Sequence, residues 1–212
     1  SNIQPHNAKL KTFVKDLGEV INLKPDAIIM SDPGMIMLAR ENYPDMPLHL
    51  SVQANTINYA AVKFWEKQGI KRIILSRELS LAEIEQIRQE CPDIELEVFI
   101  HGALCVCHSG MCLMSSVIGG RSGNRGTCAQ PCRMKYALQK KNHSAKEHAY
   151  RLSPADFASL PYLRELVEAG VHSLKIEGRL KSPEYVAQVT RSYRQALDSI
   201  LYEMSSENNS LA

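Results

Sequence analysis

Residues 72–100, RIILSRELSLAEIEQIRQECPDIELEVFI, contain one complete strand–helix–strand unit and decide the fold class. The runs 72–76 and 96–100 are short and apolar, which is typical of buried strands. Between them, Ser80 and Glu83 form the capping-box pattern that begins a helix, and Leu81, Ile84 and Ile87 follow at helical spacing. This stretch therefore predicts two parallel strands joined by a helix.

The same alternation extends in both directions along the chain. Further strands are predicted at 26–31, 48–52, 150–153 and 173–176, and helical patterns occupy 10–23, 57–65 and the segment that follows Ser182-Pro183. Repeated strand–helix units imply a parallel sheet with right-handed crossovers. We expect an α/β fold that is an incomplete TIM-like (β/α) barrel of about six βα units. A doubly wound open sheet is the alternative.

Length and charge bound the domain organisation. The 212 residues are enough for one core, and a net charge of +2 gives no overall basic field. Residues 1–6 are predicted to be an expression-vector scar and linker, 7–204 a partial barrel domain whose first two units lie upstream, and 205–212 a disordered tail. No apolar run reaches the ~18 residues of a membrane span, and no secretory signal is visible, so the prediction is a cytoplasmic protein.

Residues 103–149 interrupt the alternation between the fourth and fifth predicted strands. This segment is far longer than the usual connection of ~2–6 residues, and it holds five of the six cysteines. It also contains Gly110, Gly119, Gly120, Gly123 and Gly126. Long connections of this kind are often functional, and the density of cysteines indicates a functional insertion here.

Four cysteines in this insertion have spacings that suit a metal-thiolate site. They form two pairs, separated by fifteen residues, whose thiolates can converge on one metal or a four-iron cluster: Cys105, Cys112, Cys128 and Cys132. Buried core thiols and disulfides remain the alternatives. Cys91 is predicted to be a packing residue, and Cys107 is a substitute ligand within its C-x-C pair.

Polar residues follow the predicted strands at the end where a barrel places its chemistry. They include Gln53, Asn55, His101, Asp156, Glu177 and Arg179, and Arg125 and Arg133 lie among the glycines and cysteines of the insertion. Arginine beside backbone amides can bind an anion, while His and Glu can move protons. The structural alternatives are a core hydrogen bond for His101 and a salt bridge to Arg179 or a lysine for Glu177.

Several of these stretches together resemble the collagenase-like peptidase U-32 family. They are residues 97–105 (EVFIHGALC), 110–115 (GMCLMS), 126–133 (GTCAQPCR), 175–182 (KIEGRLKS) and 50–55 (LSVQAN). The similarity runs from about residue 26 to 200. Although the family's name implies proteolysis, its better-understood members hydroxylate a tRNA uridine or an rRNA cytidine, with a link to prephenate metabolism.

The resemblance implies that Cys105, Cys112, Cys128 and Cys132 would hold a four-iron cluster, or zinc or no metal after aerobic preparation. From their chemistry and position, the catalytic candidates are His101, Asp156 and Glu177, and the candidates for substrate binding are Gln53, Asn55, Arg125, Arg133 and Arg179. The implied partners are tRNA or rRNA and prephenate or a related small anion.

Two other functions stay open at this stage. One is a collagenase-like protease dependent on cysteine or metal, for which Cys107 with His108 or His101 could serve, since neither an HExxH nor a GxSxG motif occurs. The other is a non-catalytic RNA-binding module whose insertion is stapled by zinc.

Overall fold

Helices and strands alternate regularly in the first half of the protein. The computed structural model describes residues 5–138 and 148–210. In chain order, the elements are α1 (Asn7–Ile21), β1 (Ile28–Met30), α2 (Pro33–Asn42), β2 (Leu48–Leu50), α3 (Tyr59–Lys67), β3 (Arg72–Ile74), α4 (Leu81–Glu90) and β4 (Glu95–Gly102). The second half contains α5 (Met114–Gly119), β5 (Tyr136–Ala137), β6 (His148–Ala149), β7 (Phe157–Ala158), α6 (Leu163–Glu168), β8 (Ser173–Glu177) and α7 (Pro183–Ser210).

Five of the strands form a parallel sheet in the order β1-β2-β3-β4-β8. The α/β class and the parallel sheet are therefore confirmed. Within the described part of the chain, no pairing between β1 and β8 closes this sheet. The barrel itself stays a prediction.

The fifth strand is not where the sequence predicted it. Residues 150–153 are not a strand, because Tyr150 and Leu152 remain exposed and have no sheet face to cover. The strand that joins the main sheet is β7, which runs antiparallel to β4 with His101 opposite Ala158. Its neighbour Ser159 donates to the Ile100 carbonyl from both its N–H and its hydroxyl, each at 2.9 Å.

The local signals for α4 are confirmed. Ser80 and Glu83 form the predicted capping box at the start of α4, and Ile84 and Ile87 are buried. The end of the chain differs from the prediction, since α7 continues to Ser210 instead of giving way to a disordered tail at 205.

Alternation along the strands separates two faces of the sheet. The helix-facing side carries the core, with Met30, Leu50, Ile73 and Leu96 each 0% exposed on four successive strands. Each such side chain contributes about 1.5–3 kcal/mol to stability through burial. The opposite face is lined instead by residues such as Ile29, Ile74, Phe99, Lys175 and Glu177. In the described residues, no helix is long and apolar enough to cross a membrane.

Candidate functional site

Charged side chains lie on the open face of the sheet. Glu97 accepts hydrogen bonds from Lys175 at 2.8 Å and Ser173 at 2.9 Å, and Arg72 lies 3.6 Å away. Burial alone would raise the pKa of Glu97, but the bond from Lys175 and the nearby positive charges outweigh it and hold the pKa below its ordinary value. A carboxylate and two cations are thus fixed beneath the strand ends.

A β-bulge removes His101 from this face. The pairing of β4 with β8 shifts register between Phe99 and His101, so His101 lies opposite Ile176 instead of continuing the alternation of Glu97 and Phe99. Its ring nitrogens lie 3.3 Å from the Tyr193 hydroxyl and 2.9 Å from the Tyr185 hydroxyl, both on α7. These contacts correspond to the structural alternative for His101, a core hydrogen bond.

Arg77 and Glu78 follow β3 and were recognised from the sequence only as polar residues at a strand end, without a role in the site. The Arg77 guanidinium stacks over the Phe99 ring at 4.4 Å, and burial lowers the Arg77 pKa. Glu78 accepts two hydrogen bonds from Ser109, which lies in the cysteine insertion. Their position at a strand end was the available signal, but a charge pattern alone does not distinguish them from solvent-facing residues.

Gln53 and Asn55 contact the insertion. Asn55 adopts a left-handed backbone with φ of 58°, and its Oδ1 lies 2.9 Å from Nδ1 of His108. A Cβ at Gly110 would lie 3.8 Å from Cγ of Gln53. Asn55 therefore helps to hold the segment between Cys107 and Cys112 against the strand ends, and Gln53 lies beside Gly110 of that segment.

Cysteine-bearing segments of the insertion approach one another. A Cβ at Gly123 would lie 3.6 Å from both the Cys112 carbonyl and Cys128 Cβ. A hydrogen bond with Cys112, burial and the nearby cysteines raise the pKa of Cys107 to about 11. Burial raises the pKa of Cys132, and the surrounding cysteines raise it further against the opposing effect of Arg133. The thiols thus lie within electrostatic reach of one another.

Two of the sulfurs already accept backbone hydrogen bonds. The N–H of Met114 points to Cys112 Sγ at 3.4 Å, and that of Gln130 points to Cys128 Sγ at 3.3 Å. All six cysteines belong to the described residues, and none of them forms a disulfide. Among residues 5–138 and 148–210, however, no three His, Cys, Asp or Glu side chains stand close enough to hold a single metal ion. Cys91 is 2% exposed and belongs to the core, away from this cluster.

An open pocket of about 410 Å³, hereafter the cysteine pocket, brings several predicted residues together. Its wall includes Cys105, Cys132, Arg133, Asp156, Glu177 and Arg179, and also Arg77 and Lys181. Lys181 pairs with Asp156 at 3.2 Å, and the Arg179 N–H donates to Glu177 at 3.0 Å. Sulfur, carboxylate and guanidinium groups therefore face one space at the carboxyl ends of the strands.

Arg133 is engaged by other residues, and Arg125 does not line the cysteine pocket. Arg133 donates to the hydroxyl of Ser153 at 2.7 Å and to the carbonyls of Pro154 at 2.8 Å and Leu104 at 2.5 Å. These bonds make it a clamp across the insertion. Arg125 is exposed and does not line the pocket. Arg179 is 82% exposed, and its guanidinium lies 3.7 Å from the Glu177 carboxylate, in the salt bridge that was the structural alternative for Glu177.

The sequence matches a known protein family. Peptidase family U32 matches residues 1–211. This chain belongs to peptidase family U32. The match covers the strands, the insertion and the cysteine pocket together.

Three U32 relatives carry different names. The tRNA hydroxylation protein P of Escherichia coli strain K12 is 44% identical, over 93% of this chain and 54% of that protein. The 23S rRNA 5-hydroxycytidine C2501 synthase of the same organism is 39% identical, over 93% of this chain and 30% of that protein. A protein named collagenase from Porphyromonas gingivalis is 34% identical, over 82% of this chain and 44% of that protein. The chain spans about half the length of the curated tRNA-hydroxylation relatives it matches.

Proposed function

We propose that the protein containing this chain is an RNA hydroxylase, acting on tRNA or rRNA, with prephenate or a derivative of it as the hydroxyl donor. The observation that carries the proposal is the cysteine pocket, in which Cys105 and Cys132 share one wall with carboxylates and arginines. Two U32 relatives are named for hydroxylation of tRNA and for synthesis of an rRNA hydroxycytidine. Each of these two relatives aligns with 93% of this chain.

A four-iron cluster on Cys105, Cys112, Cys128 and Cys132 is the cofactor that suits these residues best. Backbone N–H groups directed at Cys112 and Cys128 support it, because such bonds stabilise cluster sulfurs. Four thiolates from two close pairs of cysteines are the ligand set that a four-iron cluster requires. When bound, the cluster supplies the redox chemistry that hydroxylation requires.

The remaining pocket residues have roles in binding and proton transfer. Glu177 and Asp156 present carboxylates to the pocket, where each can accept or return a proton. Arg179 and Lys181 supply positive charge for the donor anion or an RNA phosphate. Arg125, exposed on the insertion, is available to the RNA backbone. Arg133 contributes by fixing the insertion through its three hydrogen bonds.

The proposed function is tested by the nucleosides of a strain that lacks the gene. Mass spectrometry of digested tRNA and rRNA should show loss of one hydroxylated nucleoside, restored by the natural gene but not by its Cys128→Ser variant. Cys91→Ala is the matched control, because Cys91 lies in the core. Unchanged nucleosides in the deletion strain would contradict the proposal.

Proteolysis is the second candidate, favoured by the relative named collagenase. A cysteine protease needs a thiolate beside an imidazole, whereas Cys107 has a raised pKa and His108 is engaged with Asn55. Cleavage of gelatin that is lost in Cys107→Ser and kept in Cys128→Ser would establish this alternative. A zinc-stapled RNA-binding module would instead contain one zinc, lack iron, and bind RNA without modifying it.

A further inference from the structure

An apolar cavity of about 230 Å³ lies next to the cysteine pocket. Its wall is built from residues around β3, α4, β4, β7 and α6, among them Leu79, Leu81, Ile84, Val98, Phe157 and Leu166. Protein interiors are close-packed and leave few voids larger than a water molecule. An apolar cavity of roughly 150 Å³ is already large enough to bind benzene. The space here can therefore accept a six-membered ring.

Arg77 places a positive charge on the wall of this cavity. Its Nε is buried without a hydrogen-bond partner, and its guanidinium forms no hydrogen bond or ion pair with any described residue. The Phe99 ring holds it by stacking at 4.4 Å. A largely buried charge is costly unless it is paired, so these donors are suited to a bound anion.

The cavity and the cysteine pocket share two wall residues. Arg77 and Leu104 line both spaces, so the two spaces are neighbours. Glu177 and Arg179 also line the cysteine pocket. A ligand anchored at Arg77 would therefore lie beside the region in which we place the chemistry.

We propose that this cavity binds the ring of a small carboxylate ligand whose carboxylate group binds Arg77. A planar guanidinium can donate two parallel hydrogen bonds to a carboxylate, and the apolar wall covers the ring. The inference rests on the proposed function in one respect, because this ligand would be the small anion consumed there. Its binding does not require RNA and can be measured separately.

Three probes separate the ring from the charge. Phenylacetate carries both, phenylacetamide carries the ring alone, and acetate carries the charge alone. In ligand-observed NMR titrations of the full-length protein, phenylacetate should bind at least about tenfold more tightly than either of the others. Arg77→Met should remove the preference for phenylacetate over phenylacetamide, while Arg191→Met, an exposed arginine on α7, should leave all three affinities unchanged.

Substitutions that fill the cavity test whether the probes bind inside it. Ile84→Phe should abolish the advantage of phenylacetate over acetate, with Leu81→Phe as the substitute if circular dichroism shows that the first variant is unfolded. The inference is overturned if no probe saturates, if acetate binds as well as phenylacetate, or if folded filled variants keep full affinity. Probe binding with unchanged nucleosides in the deletion strain would contradict only the hydroxylase proposal. Altered nucleosides with no probe binding would contradict only the cavity.

Discussion

Glu78 holds Ser109 through both of its carboxylate oxygens, one accepting from the backbone N–H and the other from the hydroxyl, each at 2.7 Å. Glu78 follows β3, whereas Ser109 lies between Cys107 and Cys112 with an unusual φ of 42°. Burial alone would raise the pKa of Glu78, but the bonds from Ser109 outweigh it and lower the pKa. The strand end thereby fixes the conformation of the cysteine insertion.

Replacing Glu78 should loosen the insertion without unfolding the protein. In Glu78→Gln the charge is lost and only one oxygen acceptor remains for the two Ser109 donors. A hydrogen bond to a charged group contributes about 1.5–3 kcal/mol, so we expect the Ser109 amide to exchange about tenfold faster or more. Hydrogen-exchange mass spectrometry measures this, with the exposed Glu85→Gln on α4 as the control. Equal exchange in both variants would refute the docking role.

Glu97 should stabilise the fold in a pH-dependent way. Glu97→Gln is expected to lower the free energy of unfolding by about 2 kcal/mol at pH 7, because Lys175 and Arg72 lose their buried carboxylate. The folded pKa of Glu97 lies below its ordinary value, so the stabilisation is complete above that value. It is lost as the pH falls through the lower folded pKa.

Urea unfolding at several pH values measures this difference between the natural protein and Glu97→Gln. The control is Glu95→Gln, since Glu95 also pairs with Arg72 but its side chain is 45% exposed. A more exposed pair of this kind contributes less than about 1 kcal/mol. A gap between the natural protein and Glu97→Gln that persists unchanged down to pH 3 would contradict the assignment.

Gly102 ends β4 in a conformation that requires glycine. Its φ is 108°, and an added Cβ would lie 2.1 Å from the Glu177 carbonyl oxygen. Gly102→Ala should therefore lower the free energy of unfolding by at least about 2 kcal/mol. Gly119→Ala is the control, because nothing lies within 4 Å of its added Cβ, and its change should stay within about 1 kcal/mol. Similar unfolding midpoints for the two variants would argue against this close approach.

Tyr193 should stabilise the β-bulge that turns His101 away from the site. Its hydroxyl donates to the Ile100 carbonyl at 2.9 Å and accepts the Ser159 N–H at 3.1 Å. Tyr193→Phe removes both of these bonds, but the Ser159 N–H and the Ile100 carbonyl remain bonded to each other, so we expect a loss of about 0.5–1.5 kcal/mol in the free energy of unfolding. Tyr185→Phe removes the hydroxyl that faces His101. Because Tyr185 is half-buried, we expect a smaller decrease in the free energy of unfolding, measured by thermal denaturation. A larger decrease in Tyr185→Phe than in Tyr193→Phe would contradict this role of Tyr193.

Local signals were sufficient to predict much of the fold. The capping box of Ser80 and Glu83 and the apolar spacing of Ile84 and Ile87 act within a few residues, so the sequence alone placed α4. The prediction of a strand at 150–153 was wrong because strand formation, unlike helix capping, does not depend on local sequence alone. Whether a short run joins a sheet depends on a distant partner, and β4 accepts β7 instead.

The candidate site was predicted only in part. Glu177 and Arg179 line the cysteine pocket with Cys105 and Cys132, whereas Asp156 lines it from a position before β7 and not after a strand at 150–153. His101, predicted to be catalytic, lies beside α7 because of a bulge that alternation cannot reveal. Arg133 was assigned to an anion, but its donors are engaged with Ser153, Pro154 and Leu104 in ways that sequence patterns do not encode.

Iron and sulfide analysis of the full-length protein, purified and reconstituted without oxygen, determines whether the four cysteines hold a four-iron cluster. We expect about four iron and four sulfide per chain, lost on replacement of Cys105, Cys112, Cys128 or Cys132 by Ser and retained in Cys91→Ala. A single tightly bound zinc with no iron, or iron that survives all four replacements, would contradict it.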